Sequence, residues 1–243
     1  SAEDDRFGRY AVARYQAFGN LIWDVGKESK NLLRETGSHD YVLERMAIIR
    51  AADGYAHPVT VHDVQMRDAA ALSEPDRAAD VVTDQVHLRD ADAYNREAIR
   101  RLRNGGKPYV NVEYGYEAGV EDLKTYGVKN TAEEMLVWTW SILLAGAYPC
   151  YYYANTSWDL IKFEPEPASW PRYRELRRFV EGLPLNRMTA DNEYVARGFC
   201  LAAPGEAYLA FLPEGGDLTI DLSAVEDVSN VTAEWLAVLT GEK

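Results

Sequence analysis

The chain has only two cysteines in 243 residues, Cys150 and Cys200. They lie far apart with no CxxC or Cys/His spacing, so neither a metal site nor a redox motif has support, and both are expected to be buried and structural. Long hydrophobic runs are also missing. No window approaches eighteen uninterrupted apolar residues, and Ser1–Arg6 (SAEDDR) lacks the basic-then-apolar order of a signal peptide, so no membrane partner is expected. Positive charge is scarce, with 26 Lys and Arg against 39 Asp and Glu and a net charge of −13. Phosphate binding needs clustered cations, which removes nucleic acid as a partner and favours a neutral substrate. No GxGxxG or GxxxxGK[ST] follows any strand-like run, so the nucleotide-binding open sheets lose their signature and no cofactor is expected. What remains is ample core material: 47% of the residues are hydrophobic and 27% charged, as in a globular fold.

Apolar periodicity predicts an amphipathic helix over Phe7–Phe18, with Phe7, Tyr10, Ala11, Arg14, Tyr15 and Phe18 three and four apart. Strand-helix units follow. Leu21–Val25, His57–His62, Asp80–His87, Lys107–Tyr114 and Ala147–Ala154 read as strands, with a loop around Pro75, helices over Asp40–Ala52 and Asp92–Asn104, a helix over Thr131–Leu144 opened by a Thr131–Glu134 capping box, and one more capped by Ser169. Apolar strands alternating with helices mean a parallel sheet buried on both faces. From Tyr194 the pattern changes to short alternating runs, Val195–Ala203, Ala207–Leu212, Leu218–Leu222 and Val231–Leu239, broken at Pro204-Gly205 and Gly215-Gly216. This part reads as a small antiparallel β domain, with the boundary near residue 187.

Residues two apart in a strand share a face. Thr60 and His62 therefore share one side, as do Thr83, Gln85 and His87, and then Asn111 and Glu113, while Val59, Val61, Val82, Val86, Val110 and Val112 take the other. Three successive strands thus put polar groups on a common face near their C-terminal ends, where a (β/α)8 barrel gathers its catalytic residues. Glu28, just beyond the strand at Trp23, adds a second carboxylate. Two carboxylates at a pocket suit cleavage of a glycosidic bond, one protonating the leaving oxygen and the other attacking or activating water. Of the many aromatic residues nearby, Tyr114 and Trp158 are the candidates to stack on a sugar.

The sequence resembles the clan A glycoside hydrolases, most closely the apiosidase-like group with an appended β domain. The blocks that carry the resemblance are RYAVARYQAFGNLIWDVGKE (Arg9 to Glu28), HPVTVH (His57 to His62), KPYVNVEYGYE (Lys107 to Glu117), WSILLAGA (Trp140 to Ala147) and LRRFVEGLP through GFCLAAPGEAYLAFLPEGG. It implies an α/β fold in which residues 1–187 are the C-terminal part of a (β/α)8 TIM barrel, strands four to eight, and 188–243 are a truncated β-sandwich-like domain. It also implies Glu28 as acid/base after the fourth strand and Glu113 as nucleophile at the end of the seventh. Their separation of 85 residues suits three strand-helix units at roughly 30 residues each. Many clan A enzymes have Asn before the acid/base, where this chain has Lys27, which brings in Asp24 as a substitute acid.

The mechanism so implied is retaining hydrolysis of an oligo- or polysaccharide, with carboxyls about 5 to 5.5 Å apart. His62, Gln85, His87, Asn111, Tyr114 and Trp158 are expected to hold the sugar and orient Glu113. Secretion or a periplasmic location goes with the resemblance. Strands one to three of the barrel are expected from a missing N-terminal segment or another chain, so the isolated fragment is expected to be inactive. The rival reading is a non-catalytic carbohydrate-binding or scaffolding protein on a degenerate barrel.

Overall fold

The computed structural model describes residues 1–64, 72–87, 89–119, 129–157 and 162–243. It is a mixed α/β structure in two compact units, residues 1–86 with 100–112, and residues 87–99 with 113–243. Among the described residues no helix is long and apolar enough to cross a membrane.

The first unit opens with α1 (Ala2–Tyr15), which begins in a capping box formed by Ser1 and Asp4. The aromatic stripe expected to bury it, Phe7, Tyr10, Tyr15 and Phe18, is exposed instead. Another stripe with the same three-and-four spacing faces the first unit's long helix, α3 (Asp40–Ala52). Asp5 pairs with Arg45 at 2.5 Å, a side chain at Gly8 would meet Ile48, and Val12 is buried. The smaller residues let the two helices approach closely, and periodicity alone does not distinguish that face from the bulkier one. Between them come β1 (Trp23–Asp24) and α2 (Ser29–Thr36), a helix that sequence patterning did not predict.

β1 pairs in parallel with β2 (Val59–Thr60). A second parallel ladder joins β3 (His62–Val64), β4 (Val82–Gln85) and β5 (Tyr109–Asn111). The loop expected around Pro75 contains a short helix, α4 (Glu74–Ala78), with Ser73 and Asp76 as its capping box. α5 (Ala91–Gly105) contributes residues to both units.

The two faces of the strands divide as their alternation predicts. Val59 and Val61 pack with Val42, Met46 and Ala79, bordered by Trp23, Val25 and Leu32. On the other face the hydroxyls of Thr60 and Thr83 meet at 2.6 Å. Asp84 lies opposite Thr83 and Gln85 in that alternation, so its carboxylate needs a cation inside the fold. Arg101 supplies it, donating to Asp84 Oδ1 at 3.3 Å and to Asp76 Oδ2 at 3.1 Å, with all three side chains at most 6% exposed.

Asp53 ends α3. Burial raises its carboxyl pKa, but donors from the backbone N–H of Tyr55 and His57, the Trp23 indole and the His57 ring outweigh that and bring it from 3.8 to about 2. A group depressed on folding stabilises the folded state above its unfolded pKa, and that contribution is lost as pH falls through the folded value. The difference in unfolding free energy between the native chain and Asp53→Asn should therefore narrow between about pH 4 and pH 2. Urea unfolding at several acidic pH values measures it, and a difference independent of pH would refute the assignment.

The second unit contains β6 (Tyr116–Glu117) paired with β7 (Lys129–Asn130), then α6 (Ala132–Leu144), β8 (Tyr148–Pro149) and α7 (Trp170–Val180). The capping box predicted for α6 is present, with Thr131 accepting from the Glu134 N–H. Nine of the thirteen α6 residues are buried, Met135, Trp138, Trp140 and Ile142 among them. Such a helix is apolar all round because it has protein on every side. The strand expected over Ala147–Ala154 forms only at its start, leaving Cys150 exposed while Cys200 is buried as expected.

The last part contains β9 (Thr189–Ala190), β10 (Phe199–Ala203) and β11 (Ala207–Phe211), antiparallel with β10 in the middle. Gly205, with φ of 82°, makes the hairpin turn where Pro204-Gly205 predicted one. Leu218–Leu222 contributes only a bridge between Ile220 and Val195. Residues 231–239 are irregular rather than a strand. Instead of joining a ladder, the segment turns on itself, Gly241 N–H donating to the Ala237 carbonyl at 2.6 Å and Ala237 N–H to that of Glu242 at 2.8 Å.

Candidate active site

In the second unit the site is built around Glu113, two residues beyond the end of β5 and only 3% exposed. Its Oε1 accepts a hydrogen bond from the Tyr116 hydroxyl at 2.6 Å and lies 3.2 Å from His87 Nε2. A buried carboxylate is costly unless donors compensate it, and these two do so at one oxygen. The His87 side chain is 30% exposed, so it opens the site toward solvent. Tyr116 returns to Glu113 because of Gly115, where φ is 153° and a Cβ would come within 2.5 Å of Asn130 Oδ1. That same oxygen accepts the Tyr116 N–H at 3.3 Å.

The first unit brings together other expected residues. His62 Nε2 and Gln85 Oε1 are 3.2 Å apart, a diagonal contact, since the register pairs His62 with Thr83 and Gln85 is the next residue on the same face. The His62 backbone N–H donates to Asp24 Oδ1 at 3.1 Å. Asp24 is exposed as a residue, so only partial desolvation raises its carboxyl pKa, and the N–H groups of Gly26 and His62 oppose it. A carboxyl that holds its proton longer suits an acid. Glu28 stands at the N-cap of α2 in the left-handed region, φ 55° and ψ 47°, and its Oε2 accepts from Asn31 Nδ2 at 2.8 Å.

Some expected ligand contacts are corrected by burial. Tyr114 is 0% exposed, with its hydroxyl 2.6 Å from Thr139 Oγ1 and 3.1 Å from the Tyr173 hydroxyl. It belongs to the core of the second unit, where a sugar cannot reach it. Asn111 is also 0% exposed and holds the backbone of Val86, accepting from its N–H at 3.3 Å and donating to its carbonyl at 3.1 Å. Its role is to brace the residue before His87. Trp158 lies outside the described residues.

Sequence reasoning missed two groups. Tyr116 was one aromatic residue among many, and its only signal was the Gly115 that precedes it. Glu117 is another buried carboxylate of the second unit, 2% exposed, accepting from the Tyr151 hydroxyl at 2.8 Å, the Ser169 N–H at 3.1 Å and the Ser169 hydroxyl. Ser169 was expected to cap α7 with its side chain, and gives its hydroxyl to Glu117 instead. Among the described residues no group of three or more His, Cys, Asp or Glu is placed to hold a metal ion.

Comparison with solved structures finds a candidate glycoside hydrolase from Bacteroides vulgatus ATCC 8482 at 20% identity and TM-score 0.57, covering 74% of this chain and 34% of that one. A structure described as a glycoside hydrolase matches at 15% identity and TM-score 0.63, covering 83% of this chain and 53% of that one. At these identities the likeness is one of fold. The chain spans about a third and about half of the lengths of these two proteins. No curated protein matches it. The family model described as "Apiosidase-like, catalytic domain" matches residues 1–178, and the chain therefore belongs to the apiosidase-like family.

Proposed function

We propose that the protein hydrolyses glycosidic bonds of an oligo- or polysaccharide by the retaining mechanism. The observation that carries this reading is the buried Glu113 carboxylate, held at one oxygen by Tyr116 and His87 beyond a parallel strand. Glu113 attacks the anomeric carbon and forms a glycosyl ester as the bond to the leaving oxygen breaks. An acid, Glu28, protonates that oxygen, then takes a proton from the water that opens the ester. His62 and Gln85 bind sugar hydroxyls. Asp24 is the alternative acid, favoured by its raised pKa.

The parallel ladders and intervening helices fit the later part of a (β/α)8 barrel, with β1 as its fourth strand. Strands one to three would then come from a preceding segment or another chain, and the pocket would be complete only with them. Glycan screening of the chain together with those strands, with detection of the product anomer, tests the whole reading. Retention with a loss in Glu28→Gln that azide rescues assigns Glu28. The same rescue in Asp24→Asn moves the role to Asp24, and inverted product refutes the ester. Sugar binding without any hydrolysis would favour a non-catalytic binding protein.

A further inference from the structure

We infer that Tyr116 is the positioning residue of Glu113, setting the rotation of its carboxylate and keeping it ionised, with His87 acting on the same oxygen. The kinetic part of this inference rests on the nucleophile role proposed for Glu113, whereas the ionisation part does not.

The first argument is distance. The O–H···O separation of 2.6 Å makes this a short hydrogen bond, close enough to hold the carboxylate in one rotation. A phenol is a far weaker acid than a carboxyl, so against a carboxylate the tyrosine is the donor, and a donor held on Oε1 favours the charged form of Glu113. Tyr116 is 2% exposed and Glu113 3%, so the bond lies where little water competes with it.

The second argument is how firmly the donor is held. Its ring makes edge contacts with His87 and Tyr152, with centroids 6.2 and 5.2 Å away. Its backbone is fixed by pairing with Lys129 and by the bond to Asn130. A hydroxyl so held can orient its acceptor, and orientation of the attacking atom is worth large factors in rate. The titratable groups that face Glu113 include Tyr116 and His87, and those that face Tyr116 include Glu113, His87 and Tyr152. As the glycosyl ester forms, Glu113 loses its charge and the bond from Tyr116 weakens. As the ester opens, the bond strengthens and stabilises the departing carboxylate.

The test is a carboxyl carbon-13 NMR titration of the full chain, with the Glu113 signal assigned by its loss in Glu113→Gln. In Tyr116→Phe the Glu113 pKa should rise by about one unit, a tenfold gain in proton affinity. Replacing Tyr116 with difluorotyrosine, a stronger donor, should move it downward. Opposite shifts from two ring-preserving changes are not what a purely structural role would produce, and difluorotyrosine keeps the question open to refutation if the Phe variant fails to fold. An unchanged Glu113 titration in the folded variants overturns the inference.

On a hydrolysed substrate, Tyr116→Phe should lower kcat by about 10- to 100-fold with KM little changed. The acid limb of its kcat/KM profile should move up with the titration. A titration that shifts while no substrate is cleaved leaves Tyr116 as the residue that sets Glu113 ionisation, and counts against the glycosidase reading alone.

Discussion

Glu113→Gln is expected to lower kcat/KM for glycoside hydrolysis by about 10⁴-fold or more while leaving sugar binding and folding intact, since removing a nucleophile abolishes a step that binding cannot replace. The amide has the shape of the carboxylate and keeps an oxygen for the Tyr116 hydroxyl at Oε1, so thermal unfolding should change little. Binding should survive because His62 and Gln85, proposed to contact the sugar, lie outside the substitution. The direct check, on the chain together with strands one to three of the proposed barrel, is mass spectrometry after reaction with a 2-fluoro glycoside, which traps the ester. Native protein should carry the sugar on the peptide containing Glu113, and Glu113→Gln should carry none. Hydrolysis by the variant within tenfold of native would remove Glu113 from the mechanism.

The largest expected effect on stability lies away from this chemistry. Arg101→Leu leaves Asp76 and Asp84 buried without their shared cation, at 3% and 1% side-chain exposure. Breaking a buried ion pair by removing one partner costs about 3–5 kcal/mol, mostly the desolvation of the charge left behind. At about 2–4 °C per kcal/mol for a chain of this size, the midpoint should fall by roughly 10 °C. The triple change Arg101→Leu, Asp76→Leu, Asp84→Leu should recover part of that loss, because no charge is stranded. Calorimetry of the two variants decides it. A single variant as stable as native protein would show that the triad contributes little.

The strand alternation was legible because one face had to be buried: Val59 and Val61 point into the core, and Thr60, Thr83, His62 and Gln85 meet on the other face. Asp84 was passed over, because its partner Arg101 lies on a helix that strand alternation does not locate. The α6 capping box was readable because both partners are local in sequence. Tertiary choices were not readable. α1 offers two stripes of equal period, and only the presence of Arg45 and Ile48 on α3 decides between them. Tyr114 and Tyr116 differ by two positions, yet one hydroxyl goes to Thr139 and the other to Glu113. Composition cannot separate them, because the partners are distant in sequence or set by the turn at Gly115.

Glu28 sits with φ of 55°, a conformation in which glycine is at ease and a side chain is not. Selection for a sturdier chain alone would put glycine there. Glu28→Gly should therefore raise the unfolding temperature even as it removes a carboxylate from the proposed chemistry. A stabilisation screen blind to activity would collect that change early. The backbone at this one residue thus marks where durability and the proposed chemistry pull against each other, and where attempts to harden the protein should leave the sequence alone.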